Sequence, residues 1–109
     1  MAYNERLAER ARAMLKGTRG LEEKRMFGGV GFLVNGNLAC GVQKDDLILR
    51  LGETEFSAAM REPHARIFDM TGRPMKGWLL MGNQGLRAET ELRGWIRKSV
   101  SFAKSLPKK

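Results

Sequence analysis

The sequence predicts an α+β domain in which helices cover a mostly antiparallel five-stranded sheet, as two layers in the order α-β-β-β-α-β-β-α. The first observation is that apolar residues recur at every second position in three short runs between residues 30 and 51, which is the period of a strand. The second is that turn-forming residues separate these runs, at Asn35-Gly36 and at residues 43–46. The third is that both ends of the chain show the period of amphipathic helices. Residues 1–109 are expected to form a single domain, since a chain of this length builds one core.

The first helix is expected over about residues 4–17, with Asn4 as its N-cap. Arg6 and Arg10 lie one turn apart on its outer face beside glutamates, so local ion pairs on a solvated surface explain them. The apolar stripe of this helix consists of Leu7, Ala11, Met14 and Leu15.

Strands and helices follow over the rest of the chain. Three strands come first, then a short helix that Pro63 prevents from continuing, then two strands and a long C-terminal helix with a wide apolar stripe. The expected bounds are about 24–34, 38–42 and 47–51 for the first three strands, 53–61 for the short helix, 65–70 and 77–81 for the last strands, and 88–106 for the last helix.

The turn between the first two strands decides which side chains share a face. A two-residue loop at Asn35-Gly36 would shift the pairing by one residue and send the two apolar runs to opposite faces. We therefore expect a three-residue connection that includes Asn37 and pairs Phe32 with Cys40, while the next turn pairs Cys40 with Leu49. The sheet would then be apolar on one side only, through nine residues: Val30, Phe32, Val34, Leu38, Cys40, Val42, Leu47, Leu49 and Leu51.

Composition and charge limit the class of protein. No apolar run approaches the roughly 20 residues that span a bilayer, and the N-terminus lacks the apolar core of a signal peptide, so we expect a cytoplasmic protein without membrane contact. The single Cys40 cannot form an internal disulfide.

The net charge of +8 lies at the ends of the chain: residues 1–20 carry +3, residues 87–109 carry +5, and residues 21–86 are neutral. Such surfaces attract nucleic acid, although net charge also keeps small proteins soluble.

The last helix carries the best candidate for a recognition surface. Several of its cations recur with helical spacing on one side, as in a surface that binds nucleic acid or an acidic partner, although cations near a helix C-terminus also complement the helix dipole. The loop over 71–76 adds two more cations, which are either solvated or contact residues. The candidate binding residues are Arg73, Lys76, Arg93, Arg97, Lys98 and Lys104.

Residues that commonly carry catalysis or bind metals are few. One His and one Cys do not make a metal site, and Cys40 is interpreted as a small buried apolar residue. The glycine-rich segment 28–31 runs into a strand, where a nucleotide-binding loop requires a helix. We therefore expect no enzyme activity, no cofactor and no metal, and infer no small-molecule substrate. A deep pocket lined by His64, Arg66 and Asp69 would favour the enzymatic alternative.

Several blocks of the sequence resemble one family. They are Lys24-Arg25-Met26-Phe27-Gly28-Gly29, Gly31-Phe32, Val34-Asn35-Gly36, Asp46-Leu47, Arg50-Leu51, Pro63-His64-Ala65 and Gly72-Arg73-Pro74-Met75-Lys76-Gly77-Trp78. Through these blocks, roughly residues 5–104 resemble the N-terminal domain of TfoX/Sxy proteins, which are bacterial regulators of natural competence. Full-length members also carry a C-terminal helical domain.

The resemblance implies an α+β fold and a role in transcription regulation through DNA contacts, protein contacts or both. It transfers no catalytic or ligand-binding residue. The alternative is a non-catalytic protein-interaction module, a homodimer that uses its sheet edges and an apolar patch around Met75 and Trp78.

Overall fold

The computed structural model describes residues 3–26, 28–68 and 77–108. Its elements are an N-terminal helix, four strands, a short helix, two strands, a 3₁₀ turn and a C-terminal helix. Their bounds are α1 Glu5–Leu15, β1 Leu21–Met26, β2 Gly29–Val34, β3 Asn37–Gln43, β4 Asp46–Arg50, α2 Glu53–Ala59, β5 Ala65–Ile67, β6 Trp78–Gly82, the 3₁₀ turn Asn83–Leu86 and α3 Glu89–Ser105. Among these helices, none is both long enough and apolar enough to cross a bilayer.

The strands form one antiparallel sheet in the order β1-β2-β3-β4-β6-β5. The α+β prediction is confirmed, but the sheet has six strands rather than five. The difference arises because the predicted strand 24–34 is a hairpin, in which Met26 pairs with Gly29. Gly28 lies between them with φ +72°, a conformation that glycine adopts at little cost. The chain therefore reverses direction here, and the added strand starts at Leu21.

The hairpin of β2 and β3 differs from the prediction at its turn and agrees with it in the core. Asn35 (φ +54°) and Gly36 (φ +83°) are both left-handed, as a two-residue Asn-Gly turn requires, so the expected three-residue connection is wrong. The register then shifts by one residue further along the hairpin, because Ala39 is an extra residue that forms a bulge in β3. Phe32 consequently pairs with Cys40 as predicted.

The side of the sheet that faces α1 and α3 forms the main core. Cys40 pairs with Leu49 as predicted, so Phe32, Cys40 and Leu49 lie side by side on three strands, and each is 0% exposed. Trp95 of α3 is half-buried against this core. The fully buried apolar residues that the two helices contribute are Leu7, Ala8, Ala11, Leu15, Leu92, Ile96 and Ala103.

The opposite side of the sheet is also partly buried, which corrects the expectation of an apolar layer on one side only. Ile48 alternates with the helix-facing leucines of β4 and points away from the helices, yet it is 0% exposed. Leu38 faces the same way, since a Cβ added at Gly31 would lie 3.0 Å from its Cδ1. The bulge at Ala39 places Leu38 there, and it is the one residue of the predicted nine that leaves the helix-facing side. Phe68, which is 1% exposed, belongs to neither helix-side cluster.

Candidate nucleic-acid interface

α1 begins at an N-cap and makes an ion pair to the sheet. Asn4 Oδ1 accepts a hydrogen bond of 3.0 Å from the N–H of Leu7, which satisfies one of the free donors of the first turn. The Arg12 guanidinium donates two hydrogen bonds of 2.8 Å to the Glu23 carboxylate of β1. These bonds hold the pKa of Glu23 below its usual value and raise the pKa of Arg12. The buried residues of α1 determine where its remaining cations point; they are Leu7, Ala8, Ala11 and Leu15.

Arg6 and Arg10 of α1 lie on the flank that faces α3. Arg10 Nε donates to Glu89 Oε1 of α3 at 2.8 Å, and its Nη2 donates to the carbonyl oxygen of Leu86 at 2.7 Å. The Arg10 side chain is only 21% exposed. It joins the two helices, so the expectation of local ion pairs on a solvated face is wrong for this residue.

α3 contributes three further cations on the flank next to α1. Since an α-helix turns by about 100° per residue, Arg93, Arg97 and Lys104 fall within a sector of roughly 40° beside the buried stripe. All three side chains are exposed. The buried stripe that sets this orientation consists of Leu92, Ile96, Ser99 and Ala103.

The two helices enclose a groove with cationic walls and an apolar floor, here termed the basic groove. It consists of two neighbouring clefts of about 450 and 310 Å³. Its floor is formed mainly by Met14, Ile96 and Val100. The lining carboxylates are those of Glu9 and Glu89, so five cations outnumber two carboxylates by three. The five cations are Arg6, Arg10, Arg93, Arg97 and Lys104.

Most of the cations in the groove are not neutralised by neighbouring carboxylates. Arg10 pairs with Glu89. Within residues 3–26, 28–68 and 77–108, no ion pair involves Arg6, Arg93 or Arg97, nor Lys104. Cations that converge in a cleft in this way sum to a positive potential that attracts anions.

The other predicted site residues do not join this groove. Lys98 lies on the far flank of α3, where its Nζ is 3.4 Å from Glu55 Oε2 of α2 and 4.8 Å from the centre of the Trp95 ring. Arg73 and Lys76 lie outside the described residues. The structure thus brings three of the six candidates together with α1 and places Lys98 against α2.

Sequence reasoning missed the contribution of α1 to this surface. Arg6 and Arg10 had the spacing of a single helix flank, but the adjacent glutamates favoured local pairing. The distribution of charge was the signal that could have identified them. The surplus lies on both terminal segments, and these segments form the two helices that lie side by side.

Most of the residues considered for catalysis or metal binding are buried, ion-paired or outside the described part of the chain. Cys40 is 0% exposed, and burial raises the pKa of its thiol to about 12 although a hydrogen bond with Ser99 acts in the opposite direction. Arg66 pairs with Asp46, while Asp69 lies outside the described residues. In the part of the chain that the structure describes, no three His, Cys, Asp or Glu side chains are grouped so that they could hold a metal ion.

Comparison with known families agrees with the fold and the sequence blocks. A family profile described as the TfoX N-terminal domain matches residues 13–103. The chain belongs to the TfoX N-terminal domain family. The match to this TfoX N-terminal domain profile includes Arg93 and Arg97, whereas Arg6, Arg10 and Lys104 lie beyond its ends. No curated protein and no solved structure matches the chain.

Proposed function

We propose that this TfoX N-terminal domain is a non-catalytic regulatory domain of the bacterial cytoplasm that acts in transcription by binding duplex DNA in the basic groove. The observation that carries the proposal is the convergence of cations from α1 and α3 on one groove, four of them without a carboxylate partner among the described residues. Regulation of natural competence, the role that the TfoX/Sxy resemblance implies, is consistent with such an activity.

The dimensions of the groove suit a DNA backbone. Arg93 and Lys104 are separated by about 16 Å along α3, at a rise of roughly 1.5 Å per residue. One strand of duplex DNA presents a phosphate about every 3.4 Å of helix axis, so several phosphates face a groove of this length. Arginine and lysine bound to phosphates position a duplex without reading its sequence. We therefore expect largely sequence-independent binding.

The test is the salt dependence of binding to a short fluorescent duplex, measured by anisotropy. Four phosphate contacts predict a slope of about −3.6 for log affinity against log salt concentration. The double variant Arg97→Gln/Lys104→Gln removes two contacts and should reduce the slope to roughly −1.8. Lys98→Gln is the matched control, because it removes one charge from the same helix on the flank that faces α2.

Two results would contradict the DNA proposal. One is the absence of binding at ~50 mM salt, where electrostatic contacts are strong, or binding that is indifferent to salt. The other is an equal loss of binding free energy per charge removed in Lys98→Gln and in the double variant, because net charge rather than the groove would then determine binding.

An acidic protein segment is the second candidate for the same groove. The observation that favours it is the apolar floor of Met14, Ile96 and Val100 between the cationic walls, since an amphipathic acidic helix buries apolar side chains in such a groove. Affinity capture from the native cytoplasm, with and without nuclease, separates the two candidates. Material that survives nuclease treatment and is lost in Arg97→Gln/Lys104→Gln would support a protein partner.

The homodimer alternative concerns a different surface. Met75 lies outside the described residues, and Trp78 is half-buried, with its ring stacked 5.9 Å from that of Phe68. The edge strand β1 carries four charged residues over 22–25, and such charges disfavour pairing with another strand. Size-exclusion chromatography with light scattering tests this alternative, and a monomer at all concentrations would contradict it.

A further inference from the structure

A polar cleft, here termed the arginine cleft, lies where α1 and α3 begin; it adjoins the basic groove and shares Arg6, Arg10 and Glu89 with it. Its volume is about 390 Å³, which falls in the range of small-molecule sites, about 300–1,000 Å³. Its lining is polar, in contrast to the apolar floor of the basic groove. The lining residues are Asn4, Arg6, Leu7, Arg10, Asn83, Arg87 and Glu89.

The charge of the arginine cleft matches a dianion. Its three arginines face a single carboxylate, that of Glu89, which Arg10 already binds at 2.8 Å. For Arg6 and Arg87 the described part of the chain contains no ion-pair partner, so a charge of +2 is left uncompensated. A phosphate monoester carries about −1.5 to −2 at pH 7, whereas a carboxylate or a phosphodiester carries one negative charge.

The central arginine of the cleft is held in place before any ligand binds. Arg10 Nε donates to Glu89, and its Nη2 donates to the carbonyl oxygens of Leu86 at 2.7 Å and Arg87 at 3.4 Å. None of these bonds uses Nη1, whose two N–H groups remain for a ligand. Hydrogen bonds from a charged guanidinium to phosphate oxygens are stronger than those between neutral groups, so the remaining N–H groups of Nη1 suit a phosphate ligand.

We propose that the arginine cleft binds a phosphate monoester, with Arg10 and Arg87 as the principal ligands and Arg6 and Asn83 as supporting donors. This site goes beyond the proposed DNA function, because it adds Asn83 and Arg87 to arginines shared with the basic groove and takes a terminal phosphate rather than a duplex backbone. The monoester can belong to a small metabolite or to the 5′ end of a nucleic-acid strand. Both sources present the same terminal phosphate chemistry.

Calorimetric titration of the full chain tests the proposal, with inorganic phosphate as the first probe and acetate as the monoanionic control. Phosphate should bind more tightly than acetate. Arg87→Ala should weaken phosphate binding roughly tenfold, as expected for loss of a charge-assisted hydrogen bond, and Arg87→Lys should restore part of it. Asn83→Ala should weaken binding by a smaller factor, and Lys98→Ala, on the flank of α3 that faces α2, should leave it unchanged.

Two otherwise identical short single strands, with a 5′-phosphate or a 5′-hydroxyl, distinguish the sources. A strand end is the source if the phosphorylated strand binds more tightly than the hydroxyl strand and more tightly than inorganic phosphate. A small metabolite is the source if inorganic phosphate binds at least as tightly as the phosphorylated strand. Equal binding of phosphate and acetate, or full affinity in Arg87→Ala with unchanged thermal unfolding, would overturn the site. The duplex test uses Arg97 and Lys104, which do not line the arginine cleft, so either proposal can fail alone.

Discussion

Ile48→Ala tests whether both sides of the sheet are buried. Ile48 is 0% exposed and lies in β4, where it pairs with Gly41 on one side and Leu80 on the other. The substitution removes three carbon groups worth about 0.8 kcal/mol each, a transfer cost of about 2.4 kcal/mol. The cavity left behind raises the expected loss to about 3–4 kcal/mol. Leu49→Ala is the matched control, because Leu49 is the next residue, faces the helices and is equally buried.

Equilibrium unfolding in urea, followed by circular dichroism, measures both losses. With a slope of about 1–3 kcal/mol per molar urea, a loss of 3 kcal/mol lowers the unfolding midpoint by roughly 1–3 M. Ile48→Val should cost only about 0.5–1.5 kcal/mol, because it removes a single methylene. A loss below about 1 kcal/mol in Ile48→Ala, beside a loss near 3 kcal/mol in Leu49→Ala, would refute the reasoning and show that only the helix-facing side is closed.

Three further predictions concern single positions. Cys40, buried and with its pKa raised to about 12, should react with a disulfide reagent at pH 8 only at the rate of unfolding, so rapid labelling of the folded protein would contradict its burial. Gly36→Ala should cost about 1 kcal/mol in thermal unfolding, since φ is +83° there, and an unchanged midpoint would argue against the two-residue turn. Glu23→Gln should cost less than about 1 kcal/mol at pH 7, because the pair with Arg12 is partly exposed. Because the pKa of Glu23 is lowered, the pair stabilises the fold at pH values above the pKa of Glu23 in the unfolded chain. This stabilisation is lost as the pH falls through the lower pKa of the folded protein. A difference in stability between Glu23→Gln and wild type that persists at pH 2 would contradict the assignment.

Apolar alternation and turn residues predict most of the fold. They fail at the β2–β3 hairpin, where two different turn geometries fit the same number of residues. A three-residue turn without a bulge and a two-residue turn with a bulge at Ala39 both pair Phe32 with Cys40. They differ in the sides that Leu38 and Ala39 take, and burial of Ile48 on the side of Leu38 was not evident from the sequence. The extra strand was missed because one glycine with positive φ, Gly28, divides a run that reads as continuous.

The candidate surface was predictable only within one helix. Helical spacing identified Arg93, Arg97 and Lys104 as neighbours on α3, but it did not indicate which element lies beside them. Arg10 meets Glu89 across 79 residues of sequence, and such a contact follows from the topology rather than from local pattern. Lys98 was grouped with its sequence neighbours, although adjacent helical residues point about 100° apart.

The bulge at Ala39 lets β3 hold one more residue than a regular ladder without changing the pairing of Phe32 with Cys40. A chain lacking Ala39 would continue from Leu38 to Cys40 as a regular ladder, with Phe32 still opposite Cys40 and both side chains still inward. Its loss would cost only the contacts of one small side chain with Val34 and Ala103. Deletion of this one residue would therefore leave the pairing of the interior residues in place.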